Sequence, residues 1–259
     1  MTNNLKYVIY THSEYDDILR INLDYSHNLN KILLINSGAV LDDTVKEKFE
    51  SIIYYDDSQP YGNRIFTCLN QLNEKYILFS HDIDIPISYN IETLDELISF
   101  MNENDIDRVD LQQDVPSIQN EKLQNNNKNL IFKDTILIRN DNPNTYIYNV
   151  NPSMWNKNSF IEIIKNYQSE TYRTIETSSI QTFSMPYNIY KCHHNMSEKL
   201  GWFYVTPLFK YLHITHNGHL LPIEQTENKL SDENNHIYQK IIHKYDLKNK
   251  VRPFSSSLF

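Results

Sequence analysis

Short apolar runs alternate with longer mixed stretches over the first ninety residues of the chain. The runs are rich in β-branched or aromatic residues and predict buried strands at residues 6–10, 31–35, 51–55 and 76–79. The stretches between them have looser apolar spacing and the length of crossover helices, and they cover residues 14–29, 41–49 and 60–73. This alternation predicts an α/β fold with a central, mostly parallel sheet flanked by helices.

The third predicted helix has the clearest start. We expect Asp57 or Ser58 to cap it, and Pro60 suits its first turn, where a missing N–H leaves no helical hydrogen bond unmade. The amino end of this helix should then point toward the carboxyl edge of the sheet. Open α/β sheets bind their ligands at that edge.

Beyond residue 90 the alternation is less regular. Helices are expected near 92–103 and 156–167, and extended segments at 106–115, 130–139 and 145–150. The Asn-rich stretch 119–129 is typical of a loop, and 251–259 of a tail. Because no repeat and no Pro-, Gly- or Ser-rich linker divides the chain, we predict one domain over 1–259, with halves at 1–90 and 91–250.

The net charge and the glycine content of the chain argue against several classes of function. The chain has 24 basic and 33 acidic residues, a net charge of -9, which argues against a dedicated nucleic-acid-binding protein. Its four glycines are scattered, so the sequence contains neither the GxGxxG turn of a dinucleotide site nor a P-loop. A bound nucleotide diphosphate would therefore need a metal ion or cationic side chains to neutralise its phosphates.

The cysteines and the apolar runs of the sequence indicate in which cellular compartment the protein is expected. Cys68 and Cys192 show no spacing typical of zinc ligands and are too few for a disulfide framework, which favours a reducing compartment. The first residues lack the pattern of a secretory signal, and no apolar run approaches the roughly 18 residues that span a bilayer. We therefore expect a cytoplasmic protein without a transmembrane segment.

Two carboxylates follow the fourth predicted strand. The segment YILFSHDIDIP at 76–86 places Asp82 and Asp84 directly after a buried run and before a proline. Residues two apart in an extended chain face the same way, so both carboxylates could address one hard cation, Mn²⁺ or Mg²⁺. An isolated Asp-x-Asp is also common in solvated turns, and its position at the end of a strand is what favours a site.

The run QPYGNRIFTCLNQLNEKYILFSHDIDIP at 59–86 resembles the donor-site helix, strand and DxD motif of GT-A glycosyltransferases. KYVIYTHS at 6–13 and the Pro-x-x-Trp stretch within 146–157 are similar to further parts of such enzymes. The resemblance implies a GT-A (Rossmann-like) fold with a donor half at 1–90 and an acceptor half at 91–250. It also implies a metal-dependent glycosyltransferase, a hexosyltransferase, that uses a nucleotide-sugar donor, with a UDP-sugar favoured.

The resemblance assigns donor and metal roles to residues of the first half. It places the nucleoside beside Thr11, His12, Ser13 and Asp57, the diphosphate near Arg64, and the metal at Asp84, with Asp82 reaching the ribose or the metal. The ordinary alternatives are helix caps for Thr11 and Ser13 and a surface ion pair for Arg64.

The second half supplies candidates for the acceptor side. Glu176, with Glu170 second, is the expected general base, although either also fits a solvated helix face. Trp155 is expected either to stack on an acceptor sugar or to pack in the core. A late histidine completes the metal site in some relatives, and His216 is favoured over His213.

Two other functions remain open from the sequence. A metal-dependent phosphatase or phosphotransferase also carries DxD at a strand end, but in such enzymes the motif follows the first core strand. A non-catalytic sugar-binding descendant would keep the fold without turnover. The acceptor, whether glycan, lipid, protein or small molecule, has no signature in the sequence.

Overall fold

The computed structural model describes residues 5–113, 128–140, 147–179, 187–200, 203–216, 219–220 and 232–247. Within these residues the α-helices, numbered α1 to α7, are Asp16–Tyr25, Asp43–Lys46, Tyr61–Leu69, Ile91–Glu103, Lys157–Lys165, Tyr172–Ser179 and Asp232–Lys244. The strands, β1 to β16, are Lys6–Tyr10, Asn30–Asn36, Ser51–Tyr55, Tyr76–His81, Asp84–Tyr89, Arg108–Asp110, Gln112–Gln113, Leu130–Phe132, Thr135–Arg139, Ser153–Asn156, Ile189–His193, Glu198–Leu200, Phe203–Val205, Phe209–His213, Thr215–His216 and His219–Leu220.

A nine-stranded sheet forms the centre of the described structure, in the order β3-β2-β1-β4-β10-β6-β11-β9-β8. The first four strands pair in parallel, as the apolar runs predict. Within this sheet β9 and β10 run against the direction of the other strands. The predicted α/β fold with a mostly parallel central sheet flanked by helices is therefore confirmed.

The two faces of the sheet bury separate apolar clusters, because alternate side chains of each strand point to opposite faces. In β1, Tyr7 and Ile9 belong to one cluster, whereas Val8 and Tyr10 belong to the other. The first face is covered by α1 and α4 and the second by α3 and α5. Because helices pack on both faces of the sheet, the first strands are continuous apolar runs in the sequence.

The expected extended segment at 145–150 is wrong for its described part. Residues 147–150 form no strand, and the strand of this region is β10, which pairs antiparallel with both β4 and β6. Ile147 and Tyr148 are apolar because they pack in the core beside α3 and α5. Their apolar character therefore reports burial and does not reveal the backbone conformation.

The predicted cap of α3 is also wrong. The residue before the helix is Pro60, and no side chain caps the helix. Asp57 instead turns its carboxylate toward Arg64, with Oδ1 2.7 Å from Nη1. A charged partner in the first turn of the helix thus takes the carboxylate away from the backbone N–H groups.

A two-stranded antiparallel sheet outside the large sheet lies next to the end of β4. Strand β5 pairs antiparallel with β14, which places His213 opposite Asp84. The chain therefore returns, some 130 residues later, to the motif identified in the sequence.

Gly62 is expected to tolerate no side chain. An ideal Cβ at Gly62 would lie 1.9 Å from the carbonyl oxygen of Tyr167, and the Gly62 N–H donates to the carbonyl oxygen of Glu170 at 3.0 Å. Because backbone atoms block the space, Gly62→Ala should lower the free energy of unfolding by about 1–3 kcal/mol in urea denaturation. Thr67→Ala, at an exposed position of the same helix, is the control, and an equal effect of both changes would contradict the close contact.

Several expectations fall outside the described residues. These are the tail 251–259 and most of the Asn-rich stretch 119–129. The single-domain division and the cytoplasmic location stay predictions. Among the described helices, none combines the length and the apolar character needed to cross a membrane.

Candidate functional site

The carboxyl ends of β1 and β4 bring Thr11 and Asp82 together. The Thr11 hydroxyl donates to Asp82 Oδ2 at 2.6 Å, and the Asp82 N–H donates to the carbonyl oxygen of Tyr10 at 3.1 Å. Asn22, buried on α1, donates through Nδ2 to the carbonyl oxygens of Asp82 and Asp84, each at 3.1 Å. A helix side chain that the sequence did not single out therefore holds the backbone of the Asp-x-Asp turn.

The two motif carboxylates lie on different elements. Strand β4 ends at His81 and β5 begins at Asp84, so Asp82 lies in the turn between them. Asp82 contacts Thr11, while Asp84 contacts His213. Both are buried, with 4% and 1% of their surface exposed. The expectation that both project from one extended strand is thus corrected, because the chain turns between them.

Asp84 and His213 form a buried pair. His213 Nδ1 lies 2.7 Å from Asp84 Oδ1. Burial raises the pKa of the Asp84 carboxyl, and the adjacent imidazole opposes that shift. The sequence favours His216 as the late histidine, but the side chain of His216 is outside the described residues. The late histidine that the structure places against the motif is His213.

Three of the expected donor residues form a chain of contacts at the same edge of the sheet. His12 Nε2 lies 3.0 Å from Asp57 Oδ2, and Arg64 Nη1 lies 2.7 Å from Asp57 Oδ1. The Arg64 guanidinium also stands over the Tyr55 ring, 5.3 Å from its centroid. All three charged or polar groups remain partly exposed to solvent. The tertiary structure therefore gathers residues that lie up to 52 positions apart in the chain.

Ser13 has a local structural contact. Its N–H donates to Asn36 Oδ1 at 2.8 Å, and Asn36 Nδ2 donates to the Ser13 hydroxyl at 3.1 Å. Asn36 is the last residue of β2. This pair joins the ends of β1 and β2, and the sequence did not indicate Asn36.

Trp155 lies in the core. None of its surface is exposed, and its ring stacks on Phe160 with centroids 4.3 Å apart. The Arg108 guanidinium covers it, 4.7 Å from the ring centroid. Of the two roles that the sequence left open, packing is the one that the structure supports, because no face of the indole is available to a sugar.

Glu176 is half-buried on α6. Its Oε1 accepts a hydrogen bond from the Val150 N–H at 3.0 Å. Burial raises the pKa of the Glu176 carboxyl, and the Val150 N–H and the charge of Arg108 oppose that shift. Glu170 lies before this helix, and its carbonyl oxygen accepts from Gly62. The expected general base is therefore half-buried against the segment that contains Val150, and its helix face is not fully solvated.

A buried polar network near Glu176 was missed by the sequence analysis. Arg108 and Asp110 are fully buried in β6, with Arg108 Nη2 3.3 Å from Asp110 Oδ2. Asn149 bridges them, accepting from Arg108 at 2.5 Å and donating to Asp110 at 2.8 Å. Opposite charges two positions apart in a strand share one face, and that signal is present in the sequence.

A second buried chain of hydrogen bonds joins the end of β4 to Tyr148. His81 Nε2 lies 2.9 Å from the Tyr61 hydroxyl, which lies 2.5 Å from the Tyr148 hydroxyl. Burial lowers the pKa of His81 to about 3, so its imidazole is neutral near pH 7. These residues line the side of β4 that carries α3, away from the Thr11 contact of Asp82.

The motif carboxylates fit a divalent cation by chemistry. Carboxylate oxygens are the ligands that Mg²⁺ and Mn²⁺ prefer. In the part of the chain that the structure describes, no three His, Cys, Asp or Glu side chains are grouped so that they could hold a metal ion. A cation bound by Asp82 and Asp84 would therefore take its other ligands from a bound phosphate, from water or from a side chain outside the described residues.

Comparison with family models and with curated proteins gives no match. Among solved structures, S. aureus TarS aligns with 77% of this chain and 36% of its own, at 14% identity and a TM-score of 0.39. S. aureus TarS 1-349 in complex with UDP-GlcNAc aligns with 96% of this chain and 68% of its own, at 14% identity and a TM-score of 0.41. UDP-glucose pyrophosphorylase complexed with UDP-glucose aligns with 91% of this chain and 98% of its own, at 9% identity and a TM-score of 0.44.

These similarities are distant. The chain spans about a third of the length of TarS, as the 36% coverage shows. Two of these three structures hold a UDP-sugar, UDP-GlcNAc in TarS 1-349 and UDP-glucose in the pyrophosphorylase. At such low identities and TM-scores, the matches carry no argument about the reaction of this chain.

Proposed function

We propose that this chain is a glycosyltransferase that moves a sugar from a nucleotide-diphosphate sugar, most simply a UDP-sugar, to an acceptor. One observation carries the proposal: at the carboxyl edge of the sheet, Asp82 of the motif accepts a hydrogen bond from Thr11 after β1, and the next residue, His12, contacts Asp57 after β3. Ligands of open α/β sheets bind at that edge. Residues 1–90 form the donor half in this proposal, and residues 91–250 form the acceptor half.

The donor contacts are assigned to the residues after β1 and β3. Thr11, His12 and Ser13 line the nucleoside side, and Asp57 accepts hydrogen bonds from the base or ribose. Arg64 offers its guanidinium to the diphosphate, which requires it to share or exchange its present contact with Asp57. This exchange replaces one anionic partner by another and leaves no buried charge unpaired.

Asp82 and Asp84 would hold Mn²⁺ or Mg²⁺, with His216 as the additional ligand. The cation would neutralise negative charge on the departing diphosphate. Asp84 receives the larger role because His213 orients its carboxylate from within the protein. Asp82 accepts a hydrogen bond from Thr11, which supports assigning it to the nucleoside side of the same edge.

On the acceptor side, Glu176 is proposed as the general base that takes a proton from the attacking hydroxyl. Its raised pKa brings the carboxyl closer to the range in which a base is efficient near neutral pH. Trp155 has no part in acceptor binding in this proposal because it is buried. The acceptor itself remains a glycan, a lipid, a protein or a small molecule.

The first test is a thermal-shift screen of the full chain with UDP, GDP, CMP and their sugars, with and without Mn²⁺. A ligand at 100 times its dissociation constant should stabilise the fold by about 2.7 kcal/mol, which corresponds to a rise in Tm of several degrees. We expect one nucleotide family to raise Tm in a Mn²⁺-dependent way. Release of free nucleotide from the matching sugar then reports turnover.

Other outcomes identify the alternatives. Binding without any turnover would favour the non-catalytic descendant, and a phosphorylated Asp82 would favour the phosphatase or phosphotransferase. No Tm shift with any nucleotide, while EDTA and Mn²⁺ also leave Tm unchanged, would contradict the proposal. Asp43→Asn removes an exposed carboxylate that pairs with Lys46, and it controls for unspecific metal effects.

A further inference from the structure

Arg108 is a buried cation in the middle of the nine-stranded sheet. Its side chain is fully buried, and its guanidinium donates to the Ile147 carbonyl oxygen at 2.8 Å, to Asn149 Oδ1 at 2.5 Å and to the Ser153 hydroxyl at 2.9 Å. Asp110 supplies the opposite charge. Burying an ion is unfavourable unless it is paired and hydrogen-bonded. Within the described residues, each hydrogen bond and ion pair of the guanidinium is to the segment 147–153 or to β6 itself.

These contacts determine the path of the backbone between residues 147 and 153. Asn149 is held on both sides, by Arg108 and by Asp110, and its Oδ1 also accepts from the Asn151 N–H at 3.2 Å. The next residue, Val150, donates its N–H to Glu176 Oε1 at 3.0 Å. The guanidinium is thus connected to the Glu176 carboxylate through one short stretch of backbone.

Arg108 also acts on Glu176 through its charge. Among the described residues, Arg108 of β6, Arg173 of α6, Tyr61 of α3 and Tyr148 interact electrostatically with this carboxylate. Both arginines favour the charged form of Glu176, while burial favours the neutral form. Arg108 is the fully buried one of the two arginines, so solvent screens its charge least.

We propose that Arg108 is a positioning residue for Glu176: its guanidinium holds the segment 147–153 so that the Val150 N–H and the arginine charge keep the Glu176 carboxylate oriented and ionised at the carboxyl edge of the sheet. The role of this carboxylate in sugar transfer rests on the proposed function. The positioning itself does not require that function. It can therefore be tested without a donor, an acceptor or a metal ion.

The test is an NMR titration of the full-length chain with labelled carboxyl and amide groups. Glu176→Gln assigns the Glu176 signal, and the Val150 amide proton should follow the same titration in the wild type because it donates to that carboxylate. In Arg108→Gln we expect the pKa of Glu176 to rise by about 1 unit, because an attractive charge is removed. Asn149→Ala keeps Arg108 but removes the amide that joins Arg108 to Asp110. This variant should reduce the pH-dependent shift of the Val150 amide at least twofold.

Arg139→Gln is the matched control. Arg139 also stands over an aromatic ring of the same sheet, that of Tyr190, and it bonds the carbonyl oxygen of Tyr187. Its loss should leave the Glu176 titration unchanged. If Arg108→Gln does not fold, Arg108→Lys is measured in its place. Lysine keeps the positive charge but lacks the planar guanidinium that binds several acceptors at once, so the pH titration of this variant should resemble that of Asn149→Ala. The inference would be overturned if the pKa of Glu176 and the pH-dependent shift of the Val150 amide stayed at their wild-type values in the Arg108 and Asn149 variants. This outcome does not depend on the result of the ligand screen.

Discussion

Replacing Asp84 with asparagine is expected to remove the Mn²⁺-dependent stabilisation by nucleotide and to reduce sugar transfer by about 100-fold or more. Asparagine keeps the shape of the side chain but offers a hard cation no charged oxygen. Burial already disfavours the ionised form of Asp84, so the neutral amide should leave the Tm of the ligand-free chain almost unchanged. Thermal shift and nucleotide release, measured on the same preparation, check both parts.

Two further variants are compared with Asp84→Asn. Asp43→Asn removes an exposed carboxylate and should respond to nucleotide and Mn²⁺ as the wild type does. His213→Gln removes the buried partner of Asp84 and should weaken the Mn²⁺ response without abolishing it. A full Mn²⁺ response in Asp84→Asn would show that the motif carboxylates do not hold the metal.

Trp155→Ala should lower the free energy of unfolding by about 3–5 kcal/mol, the usual effect of truncating a fully buried aromatic side chain. The indole stacks on Phe160 and lies under the Arg108 guanidinium, so its loss opens a cavity beside a buried charge. Urea denaturation followed by circular dichroism measures the change. Because Trp155 is in the core, binding of nucleotide to the fraction that remains folded should be unaltered.

Trp155→Phe is the control for this prediction. It keeps an aromatic ring against Phe160 and should lose clearly less stability than the alanine variant. An alanine variant within 1 kcal/mol of the wild type, combined with weaker acceptor use, would instead support the sugar-stacking role that the sequence also allowed.

The first half of the fold was predictable because its signals are local. The runs at 6–10, 31–35 and 76–79 are buried on both faces, as continuous apolar runs of parallel strands usually are. The run at 51–55 is also a parallel strand, but it lies at the edge of the sheet and leaves Tyr54 exposed. The helix near 92–103 was equally clear and forms at Ile91–Glu103. These elements depend mainly on burial, which the residue types themselves record.

The second half was predicted less well because its apolar residues do not mark strands. Ile147 and Tyr148 are buried without being extended, and their backbone is held by the side chain of Arg108 and by the bonds of Asn149. No window of the sequence reveals that a cation 39 residues earlier will be their partner. Strand β10, at Ser153–Asn156, runs antiparallel between β4 and β6 for the same non-local reason.

The candidate site likewise has some features that the sequence predicted and others that only the tertiary structure revealed. The position of Asp82 and Asp84 at the end of a buried strand was evident from the sequence, at the edge where open α/β sheets bind their ligands. The contact between Thr11 and Asp82 was not predicted, because only the resemblance assigned Thr11 to a nucleoside site. The turn that separates the two carboxylates was not evident, nor was the role of Asn22 in holding it. The choice of His213 as the partner of Asp84 follows from the pairing of β5 with β14, which spacing alone did not predict.

The sequence by itself thus determined the α/β class, the parallel half of the sheet and the carboxylate motif at its edge, because each depends on residues close together in the chain. The tertiary structure decided that Trp155 belongs to the core, that His213 meets Asp84, and that Arg108 reaches toward Glu176 through the segment 147–153. These facts depend on which distant segments pack together. The free energy of that packing is shared among many residues, so no single stretch of sequence encodes it.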